Sequence, residues 1–509
     1  MNIRSVYLFL IVVLSLGLLF EWTSEKKDQA TQDHLNNALE SSFDFVSGGF
    51  ALVENEELQV VVAVETGAIV ETRLKKYPVE DVEGALGFRV FGESNGASFA
   101  YYFKSGFTSI APSYKLQDSG QDYVVLVDDV LGITKRISFL PASYEISIVD
   151  SSINGVQGKS FAGLYRTEGR ALDLKRDALS GGMMNNSSYE GVAVSTENDP
   201  YSTSRLGGID EPIESLSRSG WVAFIQKYFF AAILGSDEYI YNYYVLPKES
   251  GLFRMGYTVE GSSAGGVVYE HEHRLFVGPK IRKDLMQRSD NLELAIDMGW
   301  FWFLSQPMVW FMDILNGYIN NWGLTIIVFT LLIKLVFWPV TAKSFRSMAA
   351  LRKITPELNE VKERYKDDRQ KQGTETMKLM KKHGANPLGG CLPMLIQMPF
   401  FIGFFFALRE MVELRHSELG LWVDLSAPDP YFIMPALFGL LMLLTQRLNP
   451  QPAGMDPTQA QVMKYMPVMF SVLFIFFPAA LCLYTVVNTG VQLAQQSYLY
   501  KQQGALGSD

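Results

Sequence analysis

Leu324–Val340 reads LTIIVFTLLIKLVFWPV, an apolar run broken by a single charge, Lys334. A run of this length is a candidate membrane-spanning helix. A lysine near the centre of such a helix costs about 2.5–3.5 kcal/mol, so it normally faces a watered cavity or a functional path. Lys334 follows Trp322 by twelve residues, about 18 Å along a helix axis, which places it in the inner half of the span. Thr330 lies one turn earlier on the same face. Snorkelling is the bland alternative: this close to the inner side, the lysine stem could carry its head to the lipid headgroups.

Charges in the loops set the orientation. Lys343–Asn386 holds 12 Lys and Arg against 6 Asp and Glu, whereas Arg415–Pro430 holds one Lys or Arg. A basic excess in a short loop marks the cytoplasmic side. Between them Asn386–Pro399 (NPLGGCLPMLIQMP) reads as a proline- and glycine-marked return into the membrane. Five spans are expected at about 323–341, 388–412, 431–447, 462–477 and 480–498, the last two joined by a tight hairpin at Phe477-Pro478. Val6–Phe20, with Arg4 before it and Glu21, Glu25 and Asp28 after it, adds an uncleaved anchor. Six spans put both termini in the cytoplasm. Prolines 393, 399, 435 and 467 inside the spans predict short, kinked helices suited to an incompletely closed bundle.

The rest of the 509-residue chain is of another kind. Glu21–Trp300 carries 25 Lys and Arg against 40 Asp and Glu with no long apolar run, while Phe301–Asp509 carries 18 against 14. An acidic soluble part is thus joined to a slightly basic membrane part. Cys391 and Cys482 both lie in apolar segments, so the acidic part has neither a disulfide framework nor a cysteine zinc site. Strand-like alternation runs through Leu58–Glu65, Tyr123–Val127, Ile133–Phe139, Tyr144–Val149, Val222–Phe230, Tyr239–Val245, Arg254–Val259 and Val267–His273, with a turn at Thr66-Gly67. Such spacing predicts a large antiparallel sandwich. Leu292–Asn320, rich in Trp, Phe and Tyr and broken by Pro307, reads as an amphipathic segment in the membrane interface.

The expected organisation is an anchor over 1–23, a polar tether over 24–50, an all-β domain over 51–290, an interfacial helix over 291–321, a helical core over 322–500 and a short tail over 501–509.

Within the core, residues 343–386 form a helical hairpin, because Met348, Leu351, Ile354, Leu358, Val361 and Tyr365 recur at helical steps and Asp367-Asp368 lead into Arg369–His383. It suits a docking arm, with Arg346, Arg352, Lys353, Lys362 and Arg364 making the contacts. A solvated, self-packed pair resting on anionic headgroups fits the composition equally well. Among polar residues in the spans, Gln397 sits between Pro393 and Pro399 and is read as lining a cavity with Lys334, Thr330 and Asn488. Interhelical hydrogen bonding explains most of the others; Gln492, Gln495 and Gln496 read as the cytoplasmic end of the last helix. His271 and His273 share a strand face without further ligands, so no metal is expected. HExxH, GxSxG and phosphate-cradling glycine motifs are absent. Nothing predicts a catalytic residue, a cofactor or direct nucleic-acid binding.

Several motifs together resemble the YidC/Oxa/Alb insertase family in its Gram-negative form. They are Val277-Gly278-Pro279, Gly299–Pro307, Asn321-Trp322-Gly323, Asn386–Pro399 and Val412–Arg415, then Leu421-Trp422, Asp424–Ser426, Asp429–Tyr431, Met466–Val468 and Phe477-Pro478. The resemblance implies a bundle of six transmembrane helices, five forming the core, with an all-β periplasmic supersandwich in the inner membrane. It implies a hydrophilic groove whose positive charge draws in the polar segment of a client protein while the client's apolar segment slides into the bilayer, with no nucleotide consumed. Implied partners are nascent membrane proteins, the Sec translocon, the ribosome and membrane lipids.

Two departures stand out. The groove charge is usually arginine and here the matching residue is Lys334, which lacks the guanidinium fork. Lys501–Asp509 also lacks an extended basic tail, leaving ribosome contact to the hairpin and the 449–461 loop. The residues taken alone leave a solute or ion transporter open, with Lys334 as substrate or proton site, though no repeated halves are visible. A carbohydrate-binding or scaffold module built on the sandwich, held by a membrane anchor, is the third alternative.

Overall fold

The structure, a computed structural model, describes residues 49–78, 85–93, 100–140, 142–167, 191–205, 209, 211–247, 253–260, 267–383, 392–448 and 457–504. The anchor, most of the tether, residues 386–391 of the return segment, residues 449–456 of the next loop and the end of the tail lie outside them. The chain divides into two compact units, one built on residues up to Gly278 and one on Pro279–Asp509 with the short stretch 225–230.

The first unit is all β. One sheet runs from Phe50–Glu54 through Leu58–Ala63, Ala68–Pro78, Gly87–Glu93, Ala100–Phe107, Lys159–Thr167, Phe253–Glu260 and Tyr241–Pro247 to Ile213–Ser217. The second runs from Ser202–Arg205 through Gly191–Ser195, Trp221–Ile225, Phe229–Leu234, Val267–Pro279, Glu145–Gln157, Ile133–Phe139 and Tyr123–Asp128 to Lys115–Ser119. Alternate residues of Tyr123–Asp128 and of Ile133–Phe139 are buried, the period-two pattern of a strand with one face on a core.

The stretch Val222–Phe230 is two strands, not one. The polar Gln226-Lys227-Tyr228 interrupts it, and the Gln226 N–H donates to the Phe229 carbonyl at 3.0 Å to close the turn. The turn at Thr66-Gly67 is present, with Gly67 at φ +64°. A Cβ there would meet the Lys135 side chain at 2.8 Å, so glycine is needed for both conformation and space.

That lysine belongs to a polar network tying the two sheets together. Lys135 Nζ stands 2.7 Å from Asp150 Oδ1, and both side chains are fully buried. From the other sheet, the Ser105 hydroxyl donates to Asp150 Oδ2 at 2.6 Å. His273 lies 3.5 Å from the same carboxylate and bonds the Tyr257 hydroxyl at 2.9 Å and the Ser160 hydroxyl at 3.1 Å. His271 and His273 are buried structural residues, their rings 4.7 Å apart. Among the described residues no group of three or more metal-ligating side chains is placed to hold an ion.

The second unit is helical. Its helices are α1 Trp302–Ile319, α2 Trp322–Val336, α3 Trp338–Lys353, α4 Thr355–Arg364, α5 Arg369–Lys382, α6 Leu392–Glu410, α7 Ile433–Leu448, α8 Pro457–Phe474 and α9 Ala479–Gln502. Pro307 lies inside α1 rather than breaking it. The helix ends at Asn320 in the left-handed conformation, and Asn321 caps α2 by accepting from the Leu324 N–H at 2.9 Å.

The expected span 323–341 does not continue as one helix: α2 stops at Val336 and α3 leaves at 66°. Pro339 lies in the first turn of α3; a proline has no N–H for the carbonyl four residues back and its ring clashes with that carbonyl, which breaks the rod. Among the described residues no single helix is long and apolar enough to cross a membrane; the α2–α3 pair passes only when taken together. Pro356 similarly splits the first arm of the hairpin at Ile354.

α2 and α7 pack against α9, α7 also packs against α8, and α6 packs against α1. Loop 411–432 is pinned to the start of α9 by the Ala479 N–H to Ala427 carbonyl and Ala480 N–H to Leu425 carbonyl bonds, 2.7 and 2.9 Å. The buried Asp429 accepts from Trp422 Nε1 at 2.8 Å and from the Tyr431 and Met434 N–H groups at 3.0 and 2.7 Å. Asp429→Ala would orphan these donors and is expected to lower stability by about 2–4 kcal/mol. Thermal unfolding of the purified full-length chain in detergent reads this out, and an unchanged midpoint contradicts it.

Candidate functional site

A cavity lies beside the joint of α2 and α3. α2 contributes Thr330, Ile333 and Lys334, and the joint contributes Phe337. Val340 and Thr341 come from α3, Gln397 and Phe400 from α6, and Tyr484, Asn488 and Gln492 from α9. The four residues expected to share a cavity are therefore brought together.

Lys334 is only 9% exposed. Its Nζ stands 3.5 Å from Gln397 Oε1, a weak contact for an ammonium. No carboxylate among the described residues lies within ion-pairing distance of it. The Thr330 hydroxyl donates back to the Ile326 carbonyl at 2.7 Å, which turns its methyl and oxygen along the helix and leaves its acceptor capacity to the cavity. Tyr484 brings its hydroxyl to Gln397. The wall thus mixes amide and hydroxyl groups with the apolar Ile333, Phe337, Val340 and Phe400 around Lys334, which has no carboxylate partner among the described residues.

Tyr484 and Gln492 were not expected here. With Asn488 they recur every four residues and so share one face of α9. That spacing was available in the sequence, but Tyr484 reads as one more apolar aromatic and Gln492 as part of the cytoplasmic end of the last helix. Gln495 and Gln496 are buried where the last turns of α9 pack on α3 through Leu499, Tyr500, Phe345 and Met348.

The basic hairpin is self-packed at its base. Ile354 and Leu358 bury against Leu379 and Met380. Of the five basic residues expected to dock a partner, Arg346, Lys353 and Arg364 are exposed. Arg352 is engaged within the chain: its Nη1 donates to the Leu448 carbonyl at 3.2 Å and its guanidinium lies 5.9 Å from the Tyr500 ring centre. The side chain of Lys362 lies outside the described residues.

Comparison with known proteins gives the class, that of the membrane protein insertases. Residues 314–505 match the family model of the 60Kd inner membrane protein, and residues 51–311 match that of the YidC periplasmic domain. A membrane protein insertase YidC of Pseudomonas putida strain GB-1 is 37% identical over 480 residues, 88% of this chain and 83% of that protein. One from Azotobacter vinelandii is 35% identical over 510 residues, 94% of this chain and 89% of its own. Among solved structures, an active YidC insertase crystal structure aligns at a TM-score of 0.40 and 19% identity, over 88% of this chain and 92% of that one. The chain belongs to the YidC membrane protein insertase family. It is an inner-membrane insertase with a periplasmic β domain, acts on membrane proteins, and is not an enzyme.

Proposed function

We propose that the cavity around Lys334 is the groove through which this insertase passes the hydrophilic segment of a client. One observation carries the reading: a nearly buried ammonium without a carboxylate partner among the described residues, in a cavity lined by Thr330, Gln397, Tyr484, Asn488 and Gln492. A polar segment entering such a groove meets amide and hydroxyl groups among the apolar ones, which lowers its desolvation cost relative to hydrocarbon alone. An acidic segment gains further from the ammonium. Release of the client's apolar segment into lipid then supplies the downhill step, so nucleotide hydrolysis is not needed.

The same reading extends to topology and partners. Five helices, α2, α6, α7, α8 and α9, and a sixth span over residues 1–23 place both termini in the cytoplasm and the β unit, about 51–290, in the periplasm. α1 lies in the interface within 291–321; Trp302, Phe303, Trp310 and Tyr318 are all exposed on it. At 15 residues α2 is about 22 Å long, shorter than the roughly 30 Å hydrocarbon layer, so the bilayer beside the groove is thinned. The hairpin over 343–386 docks ribosomes or client chains through Arg346, Lys353 and Arg364, and the Sec translocon passes clients laterally.

Reconstituted insertion tests the assignment. Purified protein in liposomes is expected to protect a short single-span client from added protease well above empty liposomes. A photo-crosslinking side chain at Gln397 or Asn488 is expected to capture the client's hydrophilic tail during insertion. Protection without crosslinks at either position would move the path elsewhere in the bundle.

A further inference from the structure

Ser105, Ser160 and Tyr257 point from the first sheet towards the network around Asp150 and His273. Lys104, Phe161, Tyr165 and Arg254 lie an odd number of residues away on the same strands, so they point outward, off the far face of that sheet. Register brings them together there. Tyr102, Tyr165 and Arg254 stand side by side on three adjacent strands, and the next row reads Lys104, Gly163, Gly256, Tyr244. The two glycines leave the middle of that row without side chains, and the Arg254 guanidinium reaches over it. Its central carbon is 5.0 Å from the ring centre of Tyr244, 5.3 Å from that of Tyr165 and 5.9 Å from that of Phe161.

Arg254 Nε donates to the Tyr244 hydroxyl at 3.1 Å. Among the described residues that is its one hydrogen-bond partner, and no carboxylate lies within ion-pairing distance of it. A guanidinium carries five donors, so most of those on this half-buried side chain are left for a ligand. The phenols of Tyr165 and Tyr102 stand close enough to act on its charge. Tyr102 and Tyr165 stack on each other, ring centres 4.9 Å apart and 6° from parallel. Their faces are thus largely taken up by each other and by the guanidinium, which leaves hydroxyl and N–H donors as what the face offers. Lys104 adds an ammonium, likewise without a carboxylate partner among the described residues. Lys159 and Glu260, further along the same face, pair with each other at 3.1 Å, and the exposed Glu214 ends the second row beyond Tyr244.

We infer that this face binds acidic, unfolded peptide, and that its ligand is the translocated hydrophilic tail of a client. A carboxylate of the tail sits on the free edge of Arg254 with the Tyr165 hydroxyl as a further donor, a charge-assisted arrangement. Lys104, two strands away and so about 10 Å across the sheet, meets a second acidic side chain. Charge complementarity selects the ligand. Glu21–Trp300 carries 25 Lys and Arg against 40 Asp and Glu, so the unit as a whole repels an acidic chain and only a locally cationic face can hold one. The established activity supplies that chain, because an insertase with a periplasmic β domain delivers hydrophilic segments of membrane proteins to the side where this face lies. Holding the tail there opposes its return across the membrane.

The site rests on the insertase activity and on the periplasmic position of the β unit, not on the cavity at Lys334, so its failure leaves the groove reading intact. Fluorescence anisotropy of a labelled peptide tests it on the full-length chain in detergent, with Lys334→Ala in every sample so that the groove charge does not contribute. One peptide carries Asp and Glu at alternate positions, and its counterpart carries Asn and Gln there. The acidic peptide is expected to bind at least about tenfold more tightly than the amide peptide, and Arg254→Gln to weaken it by about tenfold.

Thermal unfolding checks that Arg254→Gln keeps the fold. Two milder variants carry the test independently of it. Lys104→Gln removes an outward charge, and Tyr165→Phe removes a hydroxyl while keeping the stacked ring; each is expected to weaken the acidic peptide by about threefold. Equal binding of the two peptides, or acidic-peptide binding unmoved by all three variants, would overturn the proposal. An acidic polysaccharide that binds as tightly as the acidic peptide would overturn the assignment to client tails, since the face would then hold polyanions of any kind.

Discussion

Proteoliposomes carrying Lys334→Ala are expected to insert a client with an acidic translocated tail at least about tenfold less well than wild type, while a neutral-tailed client loses far less. Two opposite unit charges 4 Å apart attract by about 4 kcal/mol at an effective dielectric of ~20. Hydration of the cavity and the cost already paid to bury the lysine take back part of this. The remainder, about 1.4 kcal/mol or more, corresponds to that tenfold. Lys334→Arg should insert as well as wild type or better, because the charge stays and the guanidinium adds donors that reach Gln397 and Asn488. Protease protection of paired acidic and neutral clients measures the effect. Equal loss for both clients would show that Lys334 holds the helices in place instead of meeting the client.

The largest effect on stability is expected in the β unit. Asp150→Ala leaves Lys135 fully buried with only the Ser105 hydroxyl and carbonyl as partners, and removing one half of a buried ion pair costs about 3–5 kcal/mol. Replacing both, as Lys135→Met with Asp150→Leu, should recover most of that loss, since no buried charge is then left alone. Burial holds His273 well below the usual imidazole range and His271 down to about 4, with the Lys135 charge also disfavouring a proton on His273. In the unfolded chain both histidines titrate near 6.5. Their stabilising contribution is therefore complete above that pH and is lost as pH falls from about 6.5 towards 4. Thermal unfolding between pH 7.5 and pH 4.5, followed by protease sensitivity of residues 51–290, checks both points. A single Asp150→Ala variant melting with wild type would show that the network contributes nothing.

Much of this was legible because the signals were local. Alternation found the strands around Ile133–Phe139, and the aromatic-rich Leu292–Asn320 stood apart from the apolar run that follows it. Lys334 stood out because a charge in an apolar run has few structural explanations. What escaped depended on partners distant in sequence or on a single break. The span through Val340 was overestimated because hydropathy averages over Pro339, while backbone hydrogen bonding does not. Val222–Phe230 merged two strands because the Gln226-Lys227-Tyr228 break is shorter than the window in which alternation is judged. The sheet-bridging network is invisible in sequence: Ser105, Lys135, Asp150 and His273 come from four separate strands, and only their register places them together. Arg352 looked like its exposed neighbours, since nothing local foretells that its guanidinium meets Leu448 and Tyr500.

In the proposed groove the joint at Phe337 makes the bore depend on an angle. One stretch of the wall belongs to α2 and the next to α3, two stiff rods meeting at 66°. The opening is therefore governed by an angle as well as by side chains. α3, at 16 residues, is about 24 Å long, so a 10° swing about the joint moves its far end by roughly 4 Å and Thr341 by roughly 1 Å. A channel fixed by packed side chains would admit one cross-section. A wall set by an angle would change its cross-section with that angle, without any wall residue being replaced.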